Sequence, residues 1–178
     1  MERMRNEFQW NLIVDRIMGI WDSAMSDVSI QELYAKDNIV LIRSVREEVT
    51  YGLLELLSNN DYAGNLHLIG RRGDEKYVSE YPGMKIDLFS VDDCEMYSVE
   101  NTKAHIDRMQ ADAVCFLYQS KISSNHDNLL RIVECVDVQG YAVSKDLQVV
   151  KFDAAKLHSY FRGKAVYDAL CEYFYDTK

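Results

Sequence analysis

The sequence predicts an α+β fold with a helical N-terminal layer, a mainly antiparallel sheet and a C-terminal helix. Three observations carry this expectation. Apolar residues recur at helical spacing in the first and last segments. The middle holds short runs rich in Val, Ile and aromatic residues, broken by Gly and Pro turn signals. The chain also lacks a strictly alternating strand–helix pattern, which would mark a parallel sheet.

The elements follow in order. Phe8, Leu12, Ile17, Trp21 and Met25 form a helical stripe from about Glu2 to Met25, which Gly19 weakens without ending. Ser29-Ile30-Gln31-Glu32 has the form of a capping box and starts a short helix. Ile42, Val45, Val49, Leu53, Leu56 and Leu57 give a further helical stripe, with Arg43, Arg46, Glu47 and Glu48 opposite it and a stop at Asn59-Asn60-Asp61. Leu66–Ile69 reads as a strand, Gly70-Arg71-Arg72-Gly73-Asp74 as a turn and Lys76–Tyr81 as a returning strand. Tyr81-Pro82-Gly83 is a second turn and Lys85–Val91 a further strand, so the middle reads as two hairpins in series. Ser98 caps a helix with Ile106 and Met109 inside, and Ala113–Tyr118 is a buried strand. Leu129–Val138 is rich in Val and Ile and reads as a strand; Tyr141–Val143 and Leu147–Phe152 form a hairpin. Asp153 caps the closing helix, which Gly163 interrupts and which Val166, Tyr167, Leu170, Cys171 and Phe174 continue. The chain reads as one domain over 1–178, or as a helical region 1–60 beside an α+β region 61–178.

The composition, 48% hydrophobic and 28% charged, is that of an ordinary globular protein. No apolar run approaches a membrane span, and the N-terminus lacks an uninterrupted apolar stretch, so a cytoplasmic protein is expected. Cys94, Cys115, Cys135 and Cys171 lack metal-ligand spacing and read as buried free thiols. No motif calls for a metal or cofactor, and none is expected. Cys115 and Cys135 fall in apolar runs, where burial keeps a thiol inert.

The charge is uneven. Residues 1–112 hold 21 of the 29 acids but 12 of the 20 bases, which places the whole net charge of −9 there. Asp87, Asp92, Asp93, Glu95 and Glu100 lie in a stretch with no Lys or Arg. A focused negative surface repels nucleic acid and attracts basic proteins. The five acids are therefore the expected partner-binding residues, carboxylates imitating the phosphates that fill a basic groove. Their spacing, with no central glycine, does not fit a calcium loop. Arg71 and Arg72 read as exposed arginines on a turn, able to hold a carboxylate of a partner; the spacing of their glycines fits neither the P-loop nor the dinucleotide fingerprint. Tyr167, Tyr173, Phe174 and Tyr175 crowd the last helix with aromatics and suggest an interface, including that of a homodimer.

Tyr118-Gln119-Ser120-Lys121 and Gly140-Tyr141-Ala142-Val143, within a stretch that starts at Ala111, resemble the YodL-like modules carried by proteins of bacterial mobile elements. Those modules show a comparable Tyr-Gln-x-Lys strand and a later Gly-x-x-Val turn. The likeness covers about 40 residues, implies a phage or mobile-element origin, and carries over no catalytic residue. The expected function is an acidic, non-catalytic binding protein that inhibits a basic nucleic-acid-handling protein, such as a CRISPR effector, nuclease or toxin. Two alternatives stand beside it: a metal-assisted hydrolase or nuclease using Asp87, Asp92, Asp93 and Glu95, and a structural homo-oligomeric subunit.

Overall fold

A computed structural model describes residues 2–44, 46–92, 98–118 and 127–175. Its elements are α1 (Glu2–Ser23), β1 (Met25–Val28), α2 (Ile30–Tyr34), β2 (Asn38–Ile42), α3 (Glu47–Asn59), β3 (Asn65–Gly70), α4 (Glu75–Glu80), β4 (Lys85–Ser90), α5 (Val99–Met109), β5 (Ala113–Tyr118), α6 (Asp127–Cys135), β6 (Gln139–Ser144), β7 (Val149–Phe152) and α7 (Ala154–Tyr175). The fold is α+β, with a seven-stranded mixed sheet and a C-terminal helix.

The sheet runs β1-β7-β6-β5-β2-β3-β4. The expectation of a mainly antiparallel sheet is corrected: β2–β3, β2–β5, β3–β4 and β5–β6 are parallel, and β6–β7 is the antiparallel hairpin expected around Ser144-Lys145-Asp146. Two segments expected as strands, Lys76–Tyr81 and Leu129–Val138, hold helices α4 and α6. Each supplies a crossover that joins parallel neighbours, β3 to β4 and β5 to β6. The stripe beginning at Ile42 also divides: Asn38–Ile42 is the central strand β2, and the helix starts at Glu47.

The chain forms two compact units, Met1–Ser26 with Asp153–Lys178, and Asp27–Phe152. In the larger unit β2, β3, β5 and β6 are buried on both faces, and β2 and β5 read accordingly as continuous apolar runs, whereas the edge strand β4 buries Ile86 and exposes Lys85 and Asp87. One face carries Ile39, Leu41, Leu66, Leu68, Cys115 and Tyr141, in one core with Val49, Leu53, Leu54 and Leu57 of α3 and Tyr77 of α4. Burying each such leucine contributes about 1.5–3 kcal/mol. The other face meets α5 and α6: the His105 ring lies 4.8 Å from that of Phe89, and Val133 closes on Gly140 so tightly that a Cβ there would collide with it.

In the smaller unit α1 and α7 run antiparallel. Trp10 makes an edge contact with Tyr167 at 5.4 Å, Trp21 lies 5.1 Å from Tyr160, and the Asp153 N–H donates to the Ala24 carbonyl at 2.9 Å. Asp153 caps α7 by accepting from the Lys156 N–H at 3.1 Å. Gly163 does not interrupt this helix. A Cβ at Gly163 would stand 3.3 Å from Ile17 Cγ1, so glycine serves the close approach of the two helices. Among the described residues no helix is long and apolar enough to cross a membrane.

Candidate functional site at the carboxyl end of the sheet

Strand β2 is where the sheet changes direction. The chain leaves it through α3 for β3 on one side, then returns as β5 on its other side and leaves through α6 for β6. In open α/β sheets, ligands bind outside the carboxyl ends of the strands at such a switch point. Here that end carries the β2–α3 connection, Arg43 to Arg46, and the β3–α4 connection, Arg71 to Asp74.

A buried ion pair ties these two connections together. Arg43 follows the last residue of β2 and keeps the sheet register, its N–H donating to the Ile69 carbonyl at 3.2 Å. Its Nη1 meets Asp74 Oδ1 at 2.6 Å, and its Nε donates to the Ser44 carbonyl at 2.7 Å. The two side chains are 1% and 3% exposed. Asp74 Oδ2 accepts the Arg71 N–H at 2.8 Å, so one carboxylate fixes both the guanidinium and the turn. Gly70 makes room for it, since a Cβ there would run into Asp74 Oδ2. Gly73 completes the turn at φ +97°, a conformation open to glycine at little cost. Arg43 Nη2 and the Tyr77 hydroxyl are buried donors with no hydrogen-bond partner among the described residues.

The N-terminus of α3 opens beside this pair. Its N-cap, Arg46, offers no side-chain cap; the Arg46 N–H itself donates to Ser44 Oγ at 3.2 Å. Glu47 and Glu48 in the first turn oppose an incoming anion. The charge of Glu47 is met by Lys76 at 2.6 Å, and the Lys76 hydrogen bond, with the fields of Lys76, Arg43 and Arg71, holds the Glu47 carboxyl below its ordinary pKa. Four arginines and a lysine thus gather around the carboxyl ends of β2 and β3, and Arg72 and Arg46 are exposed.

The expected site residues fall as follows. Arg71 and Arg72 sit on a strand-to-helix connection and not on a hairpin turn, which brings them to the carboxyl end of the sheet. Asp87 lies on the edge strand β4, its carboxylate 3.4 Å from His67 Nδ1. Asp92 follows β4 and Glu100 lies in the first turn of α5, both exposed. Asp93 and Glu95 lie outside the described residues. Tyr167 is half-buried against Trp10, whereas Tyr173 is 67% exposed. The side chains of Phe174 and Tyr175 lie outside the description. Among the described residues no three His, Cys, Asp or Glu side chains gather as metal ligands. Cys115 is fully buried, which pushes its thiol pKa up, but Cys135 is exposed at the end of α6, correcting the expectation of a buried strand cysteine.

Sequence reasoning missed Arg43, which it placed on the outer face of a helix. The available signal was the uninterrupted run Ile39–Ile42, long enough for a buried strand, with a single charge directly after it. Comparison with family models, with curated proteins and with solved structures finds no match.

Proposed function

We propose that the chain is a binding protein for a phosphate-bearing small ligand, held at the carboxyl ends of β2 and β3. The observation that carries this reading is the Arg43–Asp74 pair, which fixes two strand-to-helix connections bearing Arg46, Arg71 and Arg72 beside the uncapped start of α3. Arginine forks bind phosphate oxygens in pairs, and helix N–H groups at a switch point supply further donors. The absence of a glycine-rich fingerprint between Arg43 and Glu47 argues for a ligand touched mainly by side chains, in contrast to a dinucleotide laid along the backbone. Calorimetric titration with pyrophosphate tests the reading. The wild type binds it, and the Arg71→Ala/Arg72→Ala double variant binds at least tenfold more weakly, about 1.4 kcal/mol. Equal affinity in the two proteins contradicts it.

A second reading keeps the acidic docking surface. Its specific support is that Asp92 and Glu100 are both exposed, near the carboxyl end of the edge strand β4. A basic nucleic-acid-handling protein, of the kind a phage or mobile-element inhibitor meets, would bind there in a salt-sensitive manner. Reversing Asp92, Asp93 and Glu95 to lysine weakens such binding, and unchanged affinity removes the reading.

A further inference from the structure

We infer that the ligand enters by a terminal phosphoryl group, received by Arg43 Nη2, the Tyr77 hydroxyl and Lys76 Nζ; this rests on the phosphate-binding reading above. Arg43 commits Nε to the Ser44 carbonyl and Nη1 to Asp74, while Nη2 meets no acceptor among the described residues. Tyr77 follows Asp74 by three residues, one turn on along the same side of α4, and its hydroxyl is equally unmet. Neither residue is more than 1% exposed. Burial pushes the Tyr77 pKa up, and the charges of Arg43, Asp74, Lys76 and Glu47 all act on its hydroxyl. Leaving two such donors unmade in a dry interior is costly. The acceptors nearby are already engaged: the Asp74 oxygens by Arg43 and the Arg71 N–H, and Glu47 Oε1 by Lys76 at 2.6 Å. The missing acceptor therefore comes from outside the chain.

Lys76 supplies the third donor. Its Nζ stands 5.4 Å from the centre of the Tyr77 ring, and its pair with Glu47 spans from α4 to the start of α3. The two side chains are 33% and 49% exposed, and exposed pairs of this kind contribute little, so an incoming dianion can take Lys76 from Glu47. A trapped water would satisfy Arg43 and Tyr77 but would leave Lys76 with Glu47 and the exposed Arg46 and Arg72 unused. Three donors match the three free oxygens of a terminal phosphoryl group. Arg43 and Tyr77 are enclosed by protein, so a group that reaches them keeps one covalent link to the outside. A phosphodiester needs two. The ligand class is accordingly that of phosphomonoesters and pyrophosphoryl ends.

Calorimetric titration of the full chain with pyrophosphate and with dimethyl phosphate tests the proposal. Tyr77→Phe binds pyrophosphate at least tenfold more weakly than the wild type. Its unfolding midpoint in urea without ligand does not fall, because the hydroxyl bonds nothing in the fold. Dimethyl phosphate binds the wild type at least tenfold more weakly than pyrophosphate does, and Tyr77→Phe leaves its affinity unchanged. Glu47→Gln, an exposed change, releases Lys76 and tightens pyrophosphate binding roughly threefold. It decides the matter if Tyr77→Phe unfolds, and unchanged affinity there overturns the proposal. Pyrophosphate binding that needs Arg71 and Arg72 but ignores Tyr77→Phe also overturns it, with a trapped water as the occupant, and leaves the phosphate-binding reading standing. No binding by the wild type overturns both.

Discussion

Arg43 Nη1 and Asp74 Oδ1 meet at 2.6 Å with both side chains almost wholly out of water, joining the end of the central strand to the turn that leads into α4. Removing one partner leaves an uncompensated buried charge. Asp74→Ala is therefore expected to destabilise the fold by about 3–5 kcal/mol in urea unfolding. Arg43→Met combined with Asp74→Leu is expected to cost less than the two single changes together. Strict additivity would show that the two groups do not act as a pair.

Gly70 faces the same carboxylate. Because Asp74 is held by both Arg43 and the Arg71 N–H, its oxygen cannot retreat from an added methyl group. Gly70→Ala is expected to cost about 1–3 kcal/mol, in the range of overpacked sites. It should also displace Arg71 and Arg72 and weaken pyrophosphate binding. A variant of wild-type stability would show that the turn has slack.

A second polar anchor ties α2 to the sheet. Glu32 Oε1 accepts from Lys151 Nζ at 2.7 Å and from the buried Tyr141 hydroxyl at 2.8 Å. The hydrogen bond from Lys151, then that from Tyr141, holds the Glu32 carboxyl below its ordinary value of 4.5. A depressed carboxylate pKa contributes stability above the unfolded pKa, and this is lost as pH falls through the folded one. Glu32→Gln should therefore flatten the fall in stability below about pH 4.5. An unchanged acid limb of the thermal unfolding curve would contradict this.

Thiol accessibility separates the cysteines. Cys135 is exposed, whereas Cys115 is fully buried in β5 and its thiolate is disfavoured by burial. Iodoacetamide labelling read by mass spectrometry should modify Cys135 in the native protein and Cys115 only in denaturant. Native labelling of Cys115 would reopen a nucleophilic role for it.

Sequence legibility followed local signal strength. Helix α1, the Ser29 and Ser98 caps, the strands β3 and β5 and the β6–β7 hairpin were all readable, because period and capping chemistry are local, although Leu12 of the expected α1 stripe is exposed and Met25 lies in β1. Helix α4 has six residues, too few for a helical period to declare itself, and its Val78 and Tyr77 imitate a strand. Helix α6 misled through β-branched Ile132 and Val133, although the burial of Leu129, Leu130, Ile132 and Val133 follows helical spacing. Mistaking these two helices hid the crossovers, and with them the parallel sheet and its switch point. The candidate site was half legible: Arg71 and Arg72 stood out, but only the tertiary fold places Arg43 beneath them, since a buried arginine depends on a carboxylate 31 residues away.

Titration with pyrophosphate is the most direct measurement. The account predicts binding by the wild type and a loss of at least tenfold in Arg71→Ala/Arg72→Ala, with the double variant still folded. Absence of binding, or binding that ignores both arginines, would contradict it.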